Sequence, residues 1–160
     1  MMIRQATPGD SERIGELWLE LVEFHRQLDA NMPIPAKDGH HRYAQRIRYG
    51  LNDSYQRILV AEEHGELIGF VTGMVVDIVP EMFVDERAGM IGDIYVMAEA
   101  RGKGIGKALM QVMKDWFKLR DVTYYEWSVA SANKEGIHFW QETMRGTPIM
   151  LRMRASLDDK

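Results

Sequence analysis

The stretch Gly92–Leu109, GDIYVMAEARGKGIGKAL, constrains the chain more than any other. It reads as a short apolar strand, a five-residue bend to Arg101, a glycine-rich turn and the start of an amphipathic helix. Gly102, Gly104 and Gly106 alternate with Lys103, Ile105 and Lys107. Glycine has no Cβ to hold a ligand away, so backbone N–H groups in such a turn can approach a phosphate closely. The helix that follows adds partial positive charge at its first turn. The stretch is therefore a candidate diphosphate loop.

The rest of the chain supplies elements for a sheet around it. Met2–Ala6 is a short strand, and Thr7-Pro8-Gly9-Asp10 spells a helix start with a cap, a proline and a capping-box-like acid. Ile14, Leu17, Trp18, Leu21, His25 and Leu28 recur at helical spacing until Pro33 and Pro35 intervene. A second helix is expected over Gly39–Leu51, with Tyr43, Ile47 and Leu51 on one face. Arg57–Glu63 and Glu66–Ile78 read as a hairpin, and Gly69 and Gly73 imply a bulge or close backbone approach. A loop over Val79–Ala88 and a strand over Gly89–Val96 lead into the bend. Ile105, Leu109, Val112, Met113 and Trp116 form a stripe on the next helix. Val122–Ala130 reads as a strand, Asn133–Met144 as a helix and Thr147–Leu157 as a closing strand with alternation at Ile149, Leu151 and Met153. The expected class is α/β (α+β): one mixed, mostly antiparallel sheet flanked by helices, in the order β-α-α-β-β-β-α-β-α-β.

Composition narrows the function classes. The 160 residues suit one domain, spanning 1–160, and the 46% hydrophobic content suffices for a core. The absence of cysteine excludes disulfides, thiolate nucleophiles and Cys-ligated zinc. The adjacent pair His40-His41 has no HExxH or ligand cluster around it, so no metal is expected. The N-terminus lacks the apolar core of a signal peptide, and Leu67–Val76 falls short of the ~20 residues of a membrane helix. A cytoplasmic protein without a membrane partner is expected. The net charge of −4, with basic residues scattered apart from the helix His40–Arg48 and the glycine loop, argues against a nucleic-acid partner.

Two familiar phosphate loops fail. A Walker A loop needs Gly at position 101 and Ser or Thr at 108, where Arg101 and Ala108 stand. A Rossmann fingerprint needs G-x-G-x-x-G, whereas the spacing from Gly102 is G-x-G-x-G. Arg101-Gly102-Lys103-Gly104-Ile105-Gly106 instead resembles the acyl-CoA-binding motif of the GNAT superfamily of N-acetyltransferases. Ile94-Tyr95-Val96, the ATPGDSERI start, the strand order and Asn133 after the fifth strand are similar to that family too.

The resemblance implies the GNAT fold, with acetyl-CoA or a related acyl-CoA as donor and a small-molecule or peptide amine as acceptor. It implies a pyrophosphate held by backbone N–H groups from Arg101 to Lys107. It implies a pantetheine arm held along Ile94, Tyr95 and Val96, with the Val96 N–H polarising the thioester carbonyl. Asn133 and the Trp140 position would contact the arm. Many family members carry a tyrosine acid where Trp140 stands here. An amine acceptor with a pKa near 10 is only about one part in a thousand neutral at pH 7, so a base is needed. Asp93, sharing a strand face with Tyr95, is the first candidate, followed by Glu126 and Glu81. Tyr95, Tyr124 or Tyr125 could replace the missing acid.

The resemblance also implies that the acceptor enters by the Pro-rich turn, the second helix and the Val79–Ala88 loop, where Asp77, Glu81, Asp85 and Glu86 would favour a cation. His25 reads as a helix-face residue. The leading expectation is an acetyltransferase working by direct attack in a ternary complex. The rivals are a non-catalytic acyl-CoA-binding sensor or partner subunit, and a nucleotide-binding phosphotransferase. A homodimer is compatible with the resemblance, the terminal strand pairing across it.

Overall fold

The computed structural model describes residues 1–77 and 79–158. β1 (Met2–Gln5) leads through a 3-10 turn, Pro8–Asp10, into α1 (Ser11–Leu28). The helix start forms as its spelling predicts. The Asp10 carboxylate accepts the Thr7 N–H at 2.7 Å and the Thr7 hydroxyl at 2.9 Å. It also accepts a two-pronged bond from Arg4, at 2.8 and 3.0 Å, and Arg4 reaches Glu62 on the neighbouring strand. The Arg4 bond is the largest cause holding the Asp10 carboxyl down at about 2.

Past the prolines comes α2 (Gly39–Gly50), packed directly on α1. The approach is so close that a Cβ on Gly15 would collide with the His40 carbonyl oxygen. β2 (Gln56–Glu63), β3 (Glu66–Asp77) and β4 (Arg87–Val96) follow as an antiparallel meander; the expected end of β3, Ile78, lies outside the described residues. A 3-10 turn (Ala98–Ala100) leads to α3 (Ile105–Leu119), then β5 (Tyr125–Glu126) and α4 (Lys134–His138).

The sheet order is β1-β2-β3-β4-β5, antiparallel throughout except for the parallel β4–β5 pair. This is the mixed, mostly antiparallel sheet that the sequence predicts. On one face α1 and α2 bury Ile14, Leu17, Tyr43 and Ile47 against Val60, Phe70 and Tyr95. On the other, α3 buries Leu109, Met110, Met113 and Phe117 against Leu59, Val71 and Ile91. Gly73 lets α3 lie close, since a Cβ there would meet the Met113 sulfur at 2.6 Å. Among the described residues no helix is long and apolar enough to cross a membrane.

The C-terminal third departs from the expected elements. The strand predicted over Val122–Ala130 shrinks to Tyr125–Glu126 because it meets β4 only there. The helix predicted over Asn133–Met144 is one α-turn that widens into a π-turn, Phe139–Thr143. The closing strand, Thr147–Leu157, does not form: among the described residues the segment pairs with no strand, and its apolar residues face solvent. Alternation creates a strand propensity, but a strand exists only where an edge receives it.

Two stability measurements test this packing. Gly15→Ala should lower the unfolding free energy by roughly 1–3 kcal/mol through overpacking, even though alanine is the better helix former by ~1 kcal/mol. A urea midpoint unchanged or raised would contradict the close α1–α2 crossing. Asp10, depressed from 3.8 to about 2, contributes stability that is complete above pH 4 and lost as the pH falls through 2. Asp10→Asn should therefore be less stable than wild type at pH 5, and the gap should narrow toward pH 2 and close below it.

Candidate functional site

The site begins with a fault in the sheet. The β3–β4 register runs Gly69↔Val96, Phe70↔Tyr95, Val71↔Ile94, then jumps to Gly73↔Ile91. Gly92 and Asp93 together oppose Thr72, a β-bulge held by the Thr72 hydroxyl, which accepts the Asp93 N–H at 3.0 Å. On its other side β4 pairs with β5 only at Gly89 and Met90, so beyond Met90 the two parallel strands separate. The Met97 N–H turns toward β3, donating to the Ile68 carbonyl at 2.9 Å. By strand alternation the backbone groups of Val96 and Ile94 point the other way, into the gap. The Val96 carbonyl accepts Arg101 Nε at 3.0 Å, while its N–H has no acceptor among the described residues.

The glycine loop closes the far end of that gap. Gly102 and Gly104 both adopt φ of 77°, the left-handed region natural to glycine, and a Cβ on either would meet nothing within 4 Å. No side chain caps α3. Among the described residues, the N–H groups of Gly102 to Lys107 find no acceptor. The Arg101 N–H does not belong to this set, because it donates to the Ala98 carbonyl at 3.3 Å. Its guanidinium instead lies over the rings of Phe24, at 4.7 Å, and Tyr95, at 5.5 Å. Arg101 thus ties α1 to the β4–α3 corner, and the open cradle starts at Gly102.

Asp93 and Tyr95 face α1 and α2, while Ile94 and Val96 pack toward α3, as strand alternation predicts. The Asp93 carboxylate accepts the Tyr43 hydroxyl at 2.8 Å. Burial, then the Asp93 charge, pushes the Tyr43 hydroxyl well above its ordinary value, so it is a fixed donor. The Tyr95 hydroxyl donates to Glu20 at 3.1 Å and is likewise raised, chiefly by burial. Tyr43 also lines a shallow apolar cleft of about 320 Å³ between α1 and α2, with Trp18, Pro33, Pro35 and Arg46.

His25 joins this group from the last turn of α1. Asn133 Oδ1 accepts the Gly136 N–H at 2.9 Å, capping α4. Its amide nitrogen must therefore point at His25 Nε2, 3.3 Å away, and Nε2 must be the acceptor. The imidazole is held neutral, its value lowered by burial against the opposing pull of Leu21 and Asp93.

Other expected residues fall elsewhere. Trp140 is buried and stacked on Trp127 at 4.3 Å, part of the α3-side core. Tyr125 packs on Phe117 on that same side, which leaves Glu126 on the α1–α2 face. Glu81 lies in the exposed β3–β4 loop with Asp85 and Glu86. His41 bonds Glu12 at 3.0 Å, and among the described residues no group of three acids or histidines could hold a metal ion. Three participants escaped the sequence reading: Tyr43, read only as a helix stripe; Thr72, given no role; and His25, read as a helix-face residue. None carries a local motif, because each is brought to Asp93 or Asn133 by packing.

Comparisons with known proteins bear on the family and the fold. The family described as Acetyltransferase (GNAT) family matches residues 19–144. The chain is 33% identical to an uncharacterized N-acetyltransferase, YhfO, of Bacillus subtilis (strain 168), over 116 residues that make up 72% of this chain and 70% of that protein. A mutant of the BH1408 protein from Bacillus halodurans superposes with a TM-score of 0.88 at 19% identity, covering 98% of this chain and 99% of the other. An aminoglycoside acetyltransferase from an uncultured soil metagenomic sample, solved with sisomicin, superposes at 0.68 with 16% identity, covering 98% and 96%.

The neutral imidazole has a measurable signature. His25 takes up its proton below the ordinary 6.5, so its burial favours folding above that pH and opposes it as pH falls. Lowering the pH from 7 to 5 should destabilise wild type more than His25→Gln, and an NMR titration should place His25 below the ordinary 6.5. A His25 value at or above 6.5 would contradict the Asn133 contact.

Proposed function

This chain belongs to the GNAT acetyltransferase family, and on that premise we propose that it transfers an acetyl group from acetyl-CoA to a primary amine by direct attack in a ternary complex. The observation that carries the reading is the gap between β4 and β5, with an unpaired Val96 N–H at one end and the open N–H cradle of Gly102–Lys107 at the other. The two ends suit the two ends of one ligand. The cradle and the α3 dipole suit a pyrophosphate, with Lys103 and Lys107 adding charge. The free edge at Ile94 and Val96 suits an amide-bearing arm laid along it as a strand would lie. Asn133, the cap of α4 beside His25, suits a further arm contact.

The reaction divides across β4. The acceptor amine approaches from the α1–α2 face, where the Asp93 carboxylate waits, held through one oxygen by Tyr43. As the amine nitrogen bonds to the acetyl carbon, its surplus proton passes to Asp93, directly or through water. The carbonyl oxygen gains negative charge and is met by the Val96 N–H, a donor typically worth ~3 kcal/mol in the transition state. The carbon–sulfur bond then breaks and CoA departs as thiolate. With a reference pKa near 8.5, that thiolate leaves without obligatory protonation, which suits a site whose Trp140 is committed to the core. The apolar α1–α2 cleft that shares Tyr43 is the proposed seat of the acceptor's non-reacting part.

The test is a CoA-release assay over a panel of amines, amino acids and peptides, paired with acetyl-CoA binding by calorimetry. Release should require an acceptor. Asp93→Asn should lower kcat by roughly 10²–10⁴-fold while leaving acetyl-CoA affinity close to wild type. Gly104→Val should do the reverse, weakening acetyl-CoA binding. Binding without release from any amine would replace this reading by a non-catalytic acyl-CoA-binding protein. Stabilisation by ATP but not CoA would replace both.

A further inference from the structure

The apolar cleft between α1 and α2 also carries charge. Trp18 stacks on Tyr43 at 5.0 Å, with the rings 12° apart, and Ile34 and Pro35 from the turn after α1 line the cleft beside them. Two guanidinium groups of α2, Arg42 and Arg46, line it as well. Arg42 is paired with Asp38 at 3.0 Å, and Arg48, farther along the helix, with Glu12 at 2.7 Å. Arg46 has no carboxylate partner among the described residues.

Arg46 follows Tyr43 by three positions on α2, which puts both on one helix face. Its positive charge is felt at the Tyr43 hydroxyl, and that hydroxyl donates to Asp93 at 2.8 Å. A cation, a neutral hydroxyl and an anion thus succeed one another beside an aromatic platform. Glu20, the nearby acid of α1, is already engaged: it accepts the Tyr95 hydroxyl at 3.1 Å and lies 3.7 Å from Arg13. Two of the acids expected to favour a cation are placed elsewhere. Asp77 stands opposite Arg87 in the hairpin, about 20 Å along β4 from Asp93. The charge of Glu86 is felt at Tyr124, beside β5.

We propose that the acceptor is an apolar amino carboxylate: its nitrogen meets Asp93, its carboxylate pairs with Arg46, and its aromatic or branched side chain lies against Trp18 in the cleft. The proposal rests on the acetyl-transfer reading and names the class of amine which that site takes. An amino acid carries its two charges in the order that Asp93 and Arg46 complement. A guanidinium can grip a carboxylate through two parallel N–H bonds, which fixes the orientation of the amine at the other end. Polyamines and aminoglycosides carry several positive charges. Their surplus would lie beside Arg42 and Arg46, and such like-charge contacts select against that class.

The test runs L-phenylalanine and L-leucine against their amides and against spermidine in the CoA-release assay. The free amino acids should give the highest kcat/KM. Arg46→Gln should cut the acid-over-amide preference by roughly 10–100-fold, the worth of one hydrogen-bonded charge pair. Arg46 is exposed, so the variant should keep the far-UV dichroism of wild type. A second arm needs no turnover. In calorimetry, N-acetylphenylalanine should bind more tightly than N-acetylphenylalaninamide, and Arg46→Gln should erase the difference. Ile34→Ser, at a cleft residue 79% exposed, should weaken both ligands alike. Equal binding of acid and amide, a preference that survives Arg46→Gln, or a preference for spermidine would each overturn the proposal while acetyl transfer stood. No CoA release from any amine, with the acid still preferred in calorimetry, would instead overturn the transfer reading on which the acceptor role rests.

Discussion

Everything distinctive in this fold follows from β4 losing its neighbour halfway along. A strand that parts from its partner leaves backbone donors and acceptors unpaired, and each would cost about 1–3 kcal/mol if buried that way. The chain keeps them in an open gap instead. The bulge at Gly92–Asp93, held by Thr72, sits next to the point where β5 separates, and it increases the local bend of the strand. Arg101 occupies the Val96 carbonyl and leaves the neighbouring N–H unclaimed. The same side chain braces α1 through Phe24. A single guanidinium thus links the Val96 end of the gap to the helix bearing His25.

The fault also divides labour between the two faces of the sheet. On the α3 side lie the large apolar residues that pack that helix on the sheet, including Met113 and Phe117, with Trp140 in the same core. On the α1–α2 side lie the polar groups that face a proposed acceptor: Asp93, Tyr43, Tyr95, Glu20 and His25. Each hydroxyl of the pair Tyr43 and Tyr95 is raised by burial and committed to a carboxylate. Neither is spare to act as an acid, which fits a mechanism that lets CoA leave as thiolate.

Much of this was legible in the chain's spelling. Thr7-Pro8-Gly9-Asp10 started a helix, Pro33 and Pro35 ended the region after α1, and the meander and α3 fell close to their expected bounds. The loop from Gly102 to Lys107 was readable because a φ of 77° and an open N–H row are local demands that glycine meets locally. The strand face shared by Asp93 and Tyr95 followed from simple alternation. What failed was the C-terminal third. Val122–Ala130 and Thr147–Leu157 have good strand composition, yet the first pairs over two residues and the second over none. Composition states a preference for extended backbone; pairing needs an edge at the right place.

The sequence by itself determined the elements as far as α3, the two-faced pattern of the sheet and the open glycine turn before α3. These depend on periodicity, φ freedom and helix dipoles, all properties of residues close together in the chain. Only the tertiary structure decided that Tyr43 would hold Asp93, that Thr72 would hold the bulge, and that His25 would meet Asn133 across 108 positions. Those contacts join segments whose distance in sequence carries no record of their distance in space. Packing of α1 and α2 across the sheet sets them, and with them the chemistry available on the open side of β4.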